Sequence, residues 1–220
     1  MDMQIPRITA AASELGQIDA RIWQHAPSRR IRLIGTPVAL QPSAYITDVW
    51  RDKSVGRIEA VDFSALHNGE AIALRLSWAA PRPTATLTDN DSFADGAAVM
   101  FPIGEDAPLV TMGSPEQPVN AWHWRADRPQ TAHSNVASGL GSTRVSPGVE
   151  ILTRAQHSRG RWHLIFLRRL GIADDKQASS VTRLEAGGRN RIAFAVWDGS
   201  AGERAGLKAF SPEWLDVALA

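Results

Sequence analysis

The chain has 220 residues, with 24 Lys and Arg against 23 Asp and Glu and 44% apolar residues, a globular composition long enough to bury one sizeable core. It has no cysteine, which excludes thiolate zinc sites, cysteine-held iron–sulfur clusters, catalytic thiols and covalent CxxCH haem attachment within this chain. A net charge of +1 with scattered basic residues excludes nucleic acid as the main partner, and no apolar run approaches the ~20 residues of a membrane span.

From the N-terminus, residues 1–19 lack a basic stretch followed by an apolar one, so no secretory signal is read there, and 1–30 reads as a frayed extension available to a partner. Short apolar segments bounded by Gly, Pro, Asn and Asp follow, few of them keeping a 3.6-residue period, which predicts a mainly β protein. The strands expected in order are Ile31–Leu40, Arg57–Phe63, Ala71–Trp78, Ala97–Ile103, Val119–Arg125, Val149–His157, Trp162–Arg169, Arg191–Trp197 and Trp214–Leu219. Helix is expected only near Ser43–Lys53 and, weakly, in the N-terminal extension. Trp162, Leu164 and Phe166 share one strand face while His163, Ile165 and Leu167 share the other, and Arg191–Trp197 is likewise apolar on both faces. Such strands belong inside a sandwich, so the expected fold is a single antiparallel β-sandwich over 1–220 with a few short helices. Two connections, Pro102–Pro118 and Arg128–Gly148, are long and rich in Gly, Pro, Ser and Asn, and loops of that length in a compact domain are usually functional.

The six histidines (His25, His67, His123, His133, His157 and His163) show no HxH or HExxH spacing, so each reads first as a packed or surface imidazole. His123 lies between Trp122 and Trp124 and should point away from both. No GxSxG elbow marks a hydrolase, and Asp89, Asp91 and Asp95 suggest a calcium loop without its final glutamate, which leaves a turn. Eight tryptophans suit an exposed carbohydrate platform and a large apolar cofactor equally. Two residues stand out: Met112, a thioether in the Gly/Pro-rich loop Leu109–Pro115, and Lys208, which with Lys53 and Lys176 completes the lysines. Taken alone, the first is a gap-filler and the second a surface lysine.

The segments Ala97–Pro102, Thr111–Gly113, Pro118–Asp127, Arg161–Leu170 and Ala193–Gly199, then Glu203-Arg204 and Lys208, occur in this order in one family. In them the chain resembles the haem b, or gamma, subunits of dimethyl-sulfoxide-reductase-type molybdoenzymes. Their members include ethylbenzene dehydrogenase, related steroid and alkyl-aromatic hydroxylases, dimethyl sulfide dehydrogenase, and selenate and chlorate reductases. The match runs from Ile31 to the C-terminus. The resemblance implies one noncovalent haem b per chain, with Met112 and Lys208 as axial iron ligands and Phe101, Trp122 or Trp124, and Trp197 as aromatic walls. Two filled axial positions leave none for substrate, which implies a relay and not a catalyst. The resemblance further implies an iron–sulfur (beta) subunit carrying the clusters, a catalytic (alpha) subunit carrying the molybdenum cofactor, and an external carrier such as a cytochrome c. The ethylbenzene and steroid dehydrogenase branch is the expected one. The family's location is the periplasm, which implies export beside a signal-bearing partner, although a cytoplasmic complex fits this sequence equally. Competing readings are a carbohydrate-binding β-sandwich with a tryptophan platform and a hydrolase of unfamiliar site.

Overall fold

Residues 2–89, 92–172 and 177–220 are described by the computed structural model, and among them fourteen strands join one curled sheet. In chain order these are β1 (Met3–Ile5), β2 (Ser28–Arg32), β3 (Ile34–Gly35), β4 (Ala60–His67), β5 (Ala71–Ala79), β6 (Gly96–Pro102) and β7 (Val119–Arg125). There follow β8 (Thr131–Ala137), β9 (Arg144–Val145), β10 (Ile151–Ser158), β11 (Arg161–Arg169), β12 (Arg189–Trp197), β13 (Ala209–Phe210) and β14 (Leu215–Leu219). Two short helices, α1 (Ala12–Leu15) and α2 (Ala44–Trp50), complete the set, the second where the sequence predicts one. The sheet runs β1-β14-β12-β6-β7-β8-β10-β11-β5-β4-β2, and β1–β14 is its parallel pair.

The curl is stitched at both sides. Ser28–Arg32 pairs with β4, and one residue later Ile34–Gly35 pairs with β13, which itself pairs with β12. On the other side, residues 3–5 pair with β14 and the chain then bridges to β4 at Arg7 and His67. Between the two halves lies the core. Every second residue of β6, β7 and β12 points inward, so that Phe194 meets Phe63 with ring centroids 4.8 Å apart, Trp122 meets Phe166 at 6.3 Å and Trp124 meets Trp162 at 5.3 Å. Burial of each such side chain contributes about 1.5–3 kcal/mol.

The two-faced pattern of β11 is explained by what covers it. Trp162, Leu164 and Phe166 enter the main core, whereas Ile165 and Leu167 meet Ile8, Leu15, Ile18 and Trp23 of the N-terminal segment. That segment is therefore ordered, with a strand, α1 and a 3-10 turn over Arg21–Gln24, and not frayed, because an apolar outer face needs a lid. The expected strand Ile31–Leu40 is divided into β2, β3 and a 3-10 turn at Val38–Leu40, since Gly35 abuts the Val55 carbonyl and Pro37 donates no ladder hydrogen bond. The connection Arg128–Gly148 is also not a loop throughout, since β8 and β9 lie within it. The buried positions of β8 include Ala132 and Ser134, too small or polar to signal a strand, and Ser134 is satisfied there by the Asn120 amide, which donates to its hydroxyl at 2.9 Å.

Candidate metal-ligating site

The same period of two that fills the core turns the intervening residues of β6, β7 and β12 outward. Register places Phe210, Ala195, Ala98 and His123 side by side in one row, with Ala193, Met100 and Ala121 in the next. Four alanines thus form a low floor, edged by Met100, His123, Trp197 and Phe210. Lys208 stands two residues before Phe210 and lies on this side, with Nζ 5.6 Å from the centroid of the Trp197 ring.

Met112 reaches the floor from the β6–β7 connection. The turn is tight, with Met112 N donating to Leu109 O at 3.0 Å and Gly113 N to Pro108 O at 2.8 Å. Both residues are left-handed, with φ of 58° at Met112 and 85° at Gly113. Glycine is required at the second, because a Cβ there would sit 2.9 Å from the backbone oxygens of Ala137 and Gln117. At the first, a methionine held left-handed costs about 1–2 kcal/mol, and strain of that kind gathers at functional sites. This turn brings Met112 Sδ to 3.6 Å from Lys208 Nζ, across 96 positions of sequence.

Lys208 is 8% exposed and has no carboxylate partner among the described residues. Burial therefore pulls its amine from 10.5 down to about 8. A neutral amine and a thioether each offer a lone pair without negative charge. Metal–nitrogen and metal–sulfur bonds of ~2.0 and ~2.3 Å, as at zinc, span ~4.3 Å end to end. The observed separation is within an ångström of that, so the donor set fits one metal centre held between the two residues. His123, its ring 5.0 Å from that of Trp197, is pushed by burial and then by neighbouring Arg125 down to about 4 and stays neutral.

Of the aromatic walls expected from the sequence, Trp197 alone comes to this face. Phe101, Trp122 and Trp124 point into the core on the opposite side of the sheet, and the structure does not bring them together with Met112 and Lys208. His123, Met100, Phe210 and the alanines take that place, and strand alternation next to three large core residues is the signal that marks them. Asp95 is buried and accepts from Trp162 Nε1 at 2.8 Å, Thr84 N at 3.0 Å and Gly199 N at 2.8 Å, so it fastens strand ends. Asp91 and Lys176 lie outside the described residues. Among the described residues no group of three His, Asp or Glu side chains could hold a metal. Six tryptophans are buried and Trp197 and Trp214 are half-buried, so none offers an exposed platform.

Comparison with known proteins adds sequence relatives and a fold. The family model described as ethylbenzene dehydrogenase matches residues 20–146 and 146–209. "Chlorate reductase subunit gamma" of Ideonella dechloratans is 28% identical over 96% of this chain and 82% of its own length. "Putative respiratory nitrate reductase heme subunit ORF7" of Haloferax mediterranei is 31% identical over 90% of this chain and 66% of its own. "Dimethylsulfide dehydrogenase subunit gamma" of Rhodovulum sulfidophilum is 29% identical, covering 90% and 72%. Among solved structures, a carbohydrate binding module of family 9 from Caldicellulosiruptor kristjanssonii, in complex with glucose, aligns with a TM-score of 0.55 at 9% identity, covering 100% of this chain and 96% of that one. At that identity the likeness is one of fold alone.

Proposed function

The chain belongs to the ethylbenzene dehydrogenase family, and on that premise we propose that it is the haem b subunit of a heterotrimeric molybdenum oxidoreductase, relaying electrons between an iron–sulfur subunit and an external carrier such as a cytochrome c. The observation that carries this reading is the 3.6 Å approach of Met112 Sδ to Lys208 Nζ. A bound haem supplies a one-electron couple at its iron. Lys208 would hold the haem iron through its amine, and burial makes the proton that the amine must shed easier to lose. Met112 would hold the iron through a neutral thioether, a ligand that raises haem potential. Trp197 beside the lysine and the alanines of the floor would line the group. A haem held by both residues would be a relay and not a catalyst, which assigns the substrate chemistry to the molybdenum subunit.

The names of the relatives support a subunit of such a complex, since they are called subunits of chlorate reductase, of a respiratory nitrate reductase and of dimethylsulfide dehydrogenase. The hydrocarbon- or steroid-hydroxylating branch rests on the family description. No helix among the described residues is long and apolar enough to cross a membrane. Our reading places the complex in the periplasm, exported with a signal-bearing partner. The test is purification from the native source. A type b pyridine haemochrome should appear with two larger partners, one rich in cysteine and one carrying molybdenum, and on rapid mixing with substrate the haem should change redox state at a rate compatible with turnover. Protein that lacks haem after haem-replete growth, or a haem that stays silent while the complex turns over, sinks the reading.

A further inference from the structure

The loop that carries Lys208 is fastened at nearly every residue. Trp197 Nε1 donates to Ala205 O at 3.0 Å, Gln41 Nε2 donates to Gly206 O at 3.3 Å, and Thr36 donates through both N and Oγ1 to Lys208 O at 2.9 Å each. The loop starts at Glu203, which is 1% exposed. Its Oε1 accepts from Gly56 N at 2.7 Å and Arg57 N at 3.3 Å, and its Oε2 from Asp198 N at 2.9 Å. Gly56 in turn lies against Gly35 so closely that a Cβ on either would collide with the backbone of the other segment. Gly35 is the residue before Thr36. The contacts close a ring: Glu203 fixes Gly56, Gly56 abuts Gly35, Gly35 carries Thr36, and Thr36 fixes Lys208.

We propose that Glu203 is a positioning residue for Lys208, its buried carboxylate locking the ring that keeps the amine turned toward Met112 before any cofactor binds. The inference rests on Lys208 as an iron ligand, the reading proposed above. A lysine has a long, freely rotating stem, and a ligand held in its bound geometry loses less freedom on coordination. Among the described residues Glu203 has no cation in salt-bridge contact, only three backbone N–H groups, and a buried carboxylate so held is a costly fastening for an ordinary turn. Fixed geometry at the far end of the loop accounts for it.

Glu203→Gln keeps the shape but replaces one acceptor oxygen with an amide NH2 facing a backbone N–H. In the cofactor-free protein, the rate at which an N-hydroxysuccinimide ester acylates Lys208 is followed by mass spectrometry, with exposed Lys53 as internal reference. Lys208 should label roughly tenfold or more slower than Lys53 in the wild type, since reaction waits on local opening, and several-fold faster in Glu203→Gln. On haem loading, the same variant should show a mixture of low- and high-spin bands where the wild type is low-spin. Leu76→Ala, a core truncation on β5 in the other half of the sheet, should lower stability and leave both readouts alone. Unchanged labelling and spectrum in Glu203→Gln, or equal changes in Leu76→Ala, would overturn the proposal. If Glu203→Gln does not fold, Thr36→Val removes one of the two donors to Lys208 O, and no rise in Lys208 labelling there overturns it. A wild type that takes up no haem b refutes the haem reading instead, while labelling of the cofactor-free chain still judges the ring.

Discussion

Replacing Lys208 by methionine should make the cofactor-free protein more stable. Methionine fills similar space without charge. Burial lowers the Lys208 amine from 10.5 to about 8, and at 1.36 kcal/mol per unit the protonated form costs the fold about 3 kcal/mol. The folded value lies below the unfolded one, so below about pH 8 both states carry the proton and the whole cost is present. Between about pH 8 and 10.5 the unfolded chain keeps a proton that the folded chain has released, and wild-type stability climbs by up to about 1.4 kcal/mol per pH unit. Above that window the cost is gone. Lys208→Met should therefore exceed the wild type by about 3 kcal/mol at neutral pH, with the advantage shrinking as pH rises through the window. Urea unfolding of both proteins across this range measures it. A wild type as stable as the variant at neutral pH, or a difference that ignores pH, would mean that the amine finds water or a counter-charge, and the case that burial eases its loss of a proton would fail.

With haem bound, Met112→Ala and Lys208→Arg should each turn a low-spin absorption spectrum high-spin or mixed, the second because a guanidinium stays protonated; an unchanged spectrum removes that residue from the ligand set. His123, neutral in the fold at about 4 against 6.5 unfolded, should stabilise fully above about pH 6.5 and lose that stability as pH falls toward 4, by about 3 kcal/mol in all. His67 and His163 are shifted in the same direction, so the measurement is the difference in acid unfolding between wild type and His123→Gln, and parallel curves would refute it. Trp122→Leu should cost about 2–4 kcal/mol of stability and leave the haem spectrum unmoved, whereas Trp197→Leu should shift the spectrum at smaller cost. The opposite pattern would place the cofactor on the core side of the sheet.

Strands were legible where large apolar residues alternate. Val119–Arg125 is legible at both ends, because Trp122 and Trp124 demand burial and His123 between them does not. β8 was not legible, because a strand whose inward side chains include Ala132 and Ser134 is recognised only through the Asn120 that satisfies it from the neighbouring strand. The site divides along the same line. Met112 and Lys208 stand out in the sequence as an oddly placed thioether and a rare lysine, and the fold brings them 3.6 Å apart. Aromatic content alone does not say which face a residue takes: in β6 and β7, Phe101, Trp122 and Trp124 fill the core, so the face beside Met112 and Lys208 is built from Met100, Ala98, Ala121 and His123. Alanines announce nothing by themselves. What no local pattern records is how Lys208 is held. Thr36, Gly56 and Glu203 lie far apart in sequence and act through backbone atoms and one buried carboxylate, which composition cannot reveal. An unusual residue is thus readable from its type, and the way the chain holds it only from the closure of the fold around it.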